Sequence, residues 1–165
     1  MPQKEVWLRE PPVTLDPLRH LLLCTLEQAR EDIAAATFGL SDEQIWSRPY
    51  DLSPIGFHIR HIAGAMDRLL TYAEEREISE EQLAVLRAEL TDTFPLVTLL
   101  EMLNTTLSES RRRIEAFDGA SLADTRYIGR ARIATPLGTL LAHIAEHTQR
   151  HMGQITTTAK LLRAL

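Results

Sequence analysis

A single cysteine in 165 residues rules out an internal disulfide, and its place in the run Leu21, Leu22, Leu23, Cys24 gives it the role of a small buried hydrophobe. Aromatic residues make up only 5% of the chain, so the core has to be built from aliphatic side chains. Positive charge is not in excess either: 18 Lys and Arg stand against 23 Asp and Glu, a formal net charge of -5. The longest basic run, Arg111, Arg112 and Arg113, passes at once into Ile114 and Glu115 on a helical pattern. It reads as a solvated helix face and not as a phosphate-binding patch, and nucleic acid is not expected as a partner. No stretch approaches the roughly eighteen uninterrupted apolar residues of a membrane span, and the N-terminus has no apolar leader core. The expectation is a soluble, cytoplasmic protein with no membrane partner. A chain of this length is one domain's worth, residues 1–165, and can bury a single core without disulfides.

What the chain does have is helical period. Residues 1–13 carry Pro2, Pro11 and Pro12, which remove backbone donors and make an irregular arm, with Trp7 as its docking residue. A first long helix starts at Thr14 or Asp16, each able to cap, and runs through Leu18, Leu22, Leu26, Ala29, Ile33 and Ala36 to a stop at Gly39. Ser41 caps a short helical turn that closes at Arg48 and Pro49. Ser53 and Pro54 open a second long helix with Ile55, Ile59, Ile62, Met66, Leu69 and Ala73 on one face. Ser79, backed by Glu80, Glu81 and Gln82, resembles a capping box and starts a short helix reaching about Leu90. A third long pattern, Leu96, Leu99, Leu100, Leu103, Leu107 and Ile114, runs from Pro95 to Phe117.

Residues 119–135 have no clean period and read as a long ordered loop, whose Arg126, Arg130 and Arg132 either face solvent or reach an anionic substrate. Thr135 and Pro136 then open a fourth long helix. Four long helices, short extra helices between them and no strand pattern make an all-α four-helix bundle. Apolar or small residues beyond one stripe, with Leu140 and Leu161 counted on the solvent side of the last helix, point to a homodimer.

Chemistry concentrates in the fourth helix, where LLAHIAEHTQRHMGQ places His143, His147 and His151 four residues apart. Imidazoles at i and i+4 lie one turn apart on one side of a helix and can converge on one ion. The outer two are about 12 Å apart along the axis, too far to share it. The apolar stripe Leu137, Leu141, Ile144, Thr148, Met152, Ile155, Ala159 and Leu162 orients the helix. His147 and His151 border that stripe, while His143 turns outward. The pair favours a metal but needs a third ligand. The second helix offers two, His58 and His61 in GFHIRHIAG. His58 lies nearer the aliphatic stripe, and His61 stands on a flank beside Ala63, Gly64 and Ala65, which permit close helix approach; geometry leaves both open. Three imidazoles leave a coordination position for water or substrate, as catalytic sites do.

These segments resemble the DinB-like (DinB/YfiT-like) family of metal-binding four-helix bundles: FHIRHIAGAMDRLL in the second helix, the SEEQL turn at Ser79, and LLAHIAEHTQRHMGQI in the fourth. In that family one histidine precedes an apolar-small pair on the second helix, and two histidines four apart stand before Gly-Gln on the fourth. By position these match His61, His147 and His151, with Gly153 and Gln154 trailing. One departure is Met152, where many members carry arginine. The resemblance implies a divalent ion on the three histidines, zinc or nickel by the preference of neutral imidazoles. It also implies an enzyme acting on a small molecule. Members with known roles include S-transferases using low-molecular-weight thiols such as bacillithiol or mycothiol, and a mycothiol-dependent isomerase. Thiol transfer to an electrophile is the leading expectation; metal-assisted hydrolysis and a non-catalytic, stress-associated metal-binding module are the alternatives. Against hydrolysis stands the lack of a dedicated general base beside His147 and His151, since Glu146 points away from them.

Overall fold

A computed structural model describes residues 4–9 and 14–165. Pro2, Pro11 and Pro12 of the expected arm lie outside the described residues. Four long helices form the bundle: α1 (Pro17–Thr37), α3 (Ile55–Ala73), α5 (Leu96–Ala116) and α6 (Leu137–Ala164). Two short ones, α2 (Asp42–Trp46) and α4 (Glu80–Ala88), occupy the connections. Around the bundle the order is α1, α6, α3, α5, each long helix packing on the two beside it. Among the described residues no helix is long and apolar enough to cross a membrane.

The helix starts follow local chemistry. Asp16 accepts from the backbone N–H groups of Leu18 and Arg19, with Pro17 in the first turn. Ser41 and Ser79 each form a full capping box, with Gln44 and Gln82 as the returning partners. Ser53 and Thr135 do not cap: α3 and α6 begin after Pro54 and Pro136 with no side-chain cap. At α6 the Leu137 N–H instead donates to the Asp124 carbonyl, 2.8 Å away.

The helix ends use arginine from elsewhere in the fold. Arg19 of α1 donates to the carbonyls of Glu115 and Phe117 at the end of α5. Arg60 of α3 reaches Ala88 and Asp92 past the end of α4. Arg126 donates to Ala73 at the end of α3, and Arg163 of α6 to Ala36 and Phe38 at the end of α1. The last carbonyls of a helix lack intrahelical partners and carry partial negative charge, so a guanidinium satisfies both needs and ties two elements together.

All eight stripe residues of α6 are buried, and they meet Leu22, Leu26 and Ile33 of α1, Ile55, Ile59, Ile62 and Met66 of α3, and Leu99, Leu103 and Ile114 of α5 in one core. Each such aliphatic side chain stabilises the fold by about 1.5–3 kcal/mol relative to exposure. Leu140 is also buried, at 2% exposure, so it is not available on the solvent side for a second copy. Cys24 is buried as expected.

Residues 119–135 are not a loop throughout. A 3-10 turn (Gly119–Ala123) leads into an antiparallel hairpin of β1 (Thr125–Ile128) and β2 (Ile133–Pro136), paired Thr125 to Pro136 through Ile128 to Ile133. Each strand has four residues and the hairpin buries little but Arg126, so apolar alternation never develops in the sequence. Arg126 thus serves as a helix cap and neither solvates a loop nor reaches a substrate. Arg113 is likewise no solvated residue: it is mostly buried against Asp67 and Glu74. The N-terminal arm docks through the Val6 N–H on Gln28 and through Arg9 on Glu31, while Trp7 stays 57% exposed.

Candidate metal centre

α3 and α6 run antiparallel, which sets His58 opposite His151 and His61 opposite His147. His61, His147 and His151 converge, with one ring nitrogen of each lying within 4.8 Å of the others. His143 stays outside this group, pairing with Glu146 across one turn of exposed surface. His58 is brought to the edge of the group: it is 6% exposed, and its Nδ1 is 2.9 Å from Nδ1 of His151.

The residue that sequence reasoning missed is Glu89, just past the end of α4 and 2% exposed. Its Oε2 lies 2.6 Å from His61 Nδ1 and its Oε1 accepts from Arg68 at 3.0 Å. A carboxylate at this distance accepts a hydrogen bond from Nδ1–H of His61 and leaves Nε2 as the lone-pair nitrogen, which faces Nε2 of His147 at 3.3 Å. The readable hint is on α3. His61, Gly64 and Arg68 share one face, and a gap flanked by two bases accommodates an acid. Gly64 is that gap: a Cβ there would lie 2.8 Å from both Arg68 and Glu89 Oε1.

Phe57 forms a side of the cluster, its ring stacked on His61 at 5.3 Å between centroids and edge-on to His58 and His151. The electrostatics disfavour a proton on His58, His147 and His151. Burial, then the neighbouring His151 and His61, push His58 and His147 each down to about 4. His151 is lowered by burial and by His61 and Arg150, against the pull of Glu89. Burial alone would raise Glu89, but its hydrogen bond to His61 and its ion pair with Arg68 bring it below the usual carboxylate range. Neutral imidazoles with converging lone pairs suit a borderline divalent cation, and three of them leave positions free for a further ligand.

Comparison with solved structures shows the fold again. A conserved protein from Enterococcus faecalis is 13% identical, with 92% of this chain and 100% of that chain covered and a TM-score of 0.75. YfiT from Bacillus subtilis, described as a probable metal-dependent hydrolase with an unusual four-helix bundle topology, is 14% identical, with 92% of each chain covered and a TM-score of 0.66. Comparison with curated proteins gives no match. A family model, the DinB superfamily, matches residues 25–155. The match spans most of the four-helix bundle and both histidine segments, and the chain belongs to the DinB superfamily.

Proposed function

We propose that His61, His147 and His151 hold one divalent ion, zinc or nickel, and that the site transfers a low-molecular-weight thiol to a small electrophile. The observation that carries the metal is the convergence of three imidazole nitrogens within 4.8 Å, one of them anchored from behind by a buried carboxylate. An ion held in this way supplies a Lewis acid that lowers the pKa of a thiol or a water molecule at its open positions.

The chain's own residues favour the thiol. Glu89 is committed to His61 and Arg68, and Glu146 to His143 and Arg150, so neither carboxylate is free to take a proton from water. A thiol starts near pKa 8.5 and needs less help to ionise than water does. Glu89 holds the His61 proton at Nδ1, Arg68 balances the charge of Glu89, and the Phe57 ring shields one side from solvent. Hydrolysis is the second reading, supported by the description of YfiT.

The test pairs several thiols with simple electrophiles, beside ester and amide substrates, using zinc- and nickel-reconstituted protein. Thiol conjugation that disappears in His151→Ala is the expected result. Hydrolysis alone moves the assignment to the second reading. Silence in both, with tight metal binding, leaves a non-catalytic metal-binding module.

A further inference from the structure

We infer that His58 is a positioning residue that accepts a hydrogen bond from Nδ1–H of His151, and thereby fixes Nε2 of His151 as the nitrogen offered to the ion. The inference rests on the metal reading above and deepens it. A neutral imidazole carries one proton, and whichever nitrogen is bonded to an acceptor keeps it. His61 solves this with Glu89. Among the described residues no carboxylate is in hydrogen-bond contact with His151; the partner at its Nδ1 is His58, at 2.9 Å. Two ring nitrogens at that distance share one proton, so one donates and the other accepts.

The convergent group decides the direction, because His151 belongs to it and His58 does not. His58 is 6% exposed, while His151 is only half-buried. His58 stands outside that group and is boxed in by Phe57 in an edge-to-face contact at 5.2 Å. Donation from His151 to His58 leaves the lone pair of His151 on Nε2. Donation the other way would occupy the Nδ1 lone pair of His151 and place its proton on Nε2. Only the first arrangement provides three usable donors. The two α3 histidines then act differently, since His61 binds the ion while His58, one turn earlier and facing His151, orients a ligand. This also explains why helical geometry alone leaves two candidates on α3, since both histidines point to the same site.

The experiment has two arms. Nitrogen-15 NMR of the metal-free protein reads the tautomer directly: Nδ1–H on His151 is expected in the wild type, and loss of that preference in His58→Leu, whose side chain fits an apolar setting. Nε2–H on His151 in the wild type, or an unchanged tautomer in His58→Leu, would overturn the inference. Chelator competition with zinc and nickel is the second arm. His58→Leu should still bind one ion, about 10- to 100-fold more weakly, whereas His58→Gln, which keeps an acceptor oxygen, should recover most of the affinity. Equal affinity in wild type and His58→Leu refutes the positioning role. A cobalt-substituted spectrum that changes in both variants, with equal loss of affinity, makes His58 a ligand instead and also refutes it. Wild-type protein that takes up no ion defeats the metal reading, while the NMR arm still decides the role of His58.

Discussion

Helix α3 carries two clusters of ionisable groups on different sides, and they are built in opposite ways. Toward α5, Arg113 meets Asp67 at 2.7 Å and Glu74 at 2.6 Å, Arg76 adds to Glu74, and Gln82 fills the remaining valence of Asp67 and Thr71. Burial alone would lower Arg113 and raise Glu74, yet their mutual contacts raise the first and lower the second. Every strong donor there has a protein acceptor. Toward α6, four imidazoles crowd together with one carboxylate, and burial pushes protons away from His58, His147 and His151. The first cluster is complete as it stands and ties α3 to α5. The second has lone pairs facing lone pairs, which a fold tolerates when a cation resolves the conflict.

Removing a donor from the α6 side should have the largest effect. His61→Ala is expected to abolish stoichiometric zinc binding in equilibrium dialysis, because two imidazoles alone neither encircle the ion nor fix its geometry. Glu89→Gln comes next, with metal affinity about 10- to 100-fold lower by chelator competition, since an amide holds the His61 proton less firmly and leaves Arg68 without its countercharge. A Glu89→Gln protein with wild-type affinity would show that the carboxylate serves only the fold.

The α5 side should respond in the opposite manner. Arg113→Ala is expected to lower stability by about 1–3 kcal/mol in urea denaturation, as two carboxylates lose their shared partner, and to leave metal affinity unchanged. A joint loss of stability and affinity would mean that the two sides of α3 are coupled. Gly64→Ala sharpens the boundary between them. The added methyl displaces the ends of Arg68 and Glu89, so metal affinity should fall a few-fold, while the gain in helix propensity of about 1 kcal/mol keeps stability near neutral.

The smallest effect is on the pH dependence of the metal-free protein. His58 and His147 sit near 4 in the folded chain, against an ordinary value of 6.5. Between those limits the unfolded chain binds protons that the folded chain refuses. Stability is therefore full above about pH 6.5 and falls as pH drops toward 4. His58→Leu should shallow that slope in urea titrations run across the window.

How much of this was legible in the sequence differs by element. The bundle was, because the aliphatic residues of α1, α3, α5 and α6 recur at helical spacing and each long helix has a cap or a proline at its start. The hairpin was not, since strands of four residues with one buried position carry no readable alternation. The helix caps made by Arg19, Arg60, Arg126 and Arg163 join residues as far apart as 127 positions, and no local pattern encodes them. The pairing of His147 and His151 was visible in their spacing, and so was the competition between His58 and His61. Glu89 was hidden just past the end of α4, a helix that buries none of its own residues, and only the antiparallel docking of α3 on α6 separates the places of His58 and His61.

The central claim is a single ion between α3 and α6. Crystals of the full chain grown with zinc or nickel, measured at the absorption edge of that metal, test it most directly. One anomalous peak within bonding distance of His61, His147 and His151, with His58 and Glu89 one layer behind, is the predicted result. Data from metal-loaded crystals with no peak there, or with a peak on the His143 and Glu146 surface instead, would contradict the account.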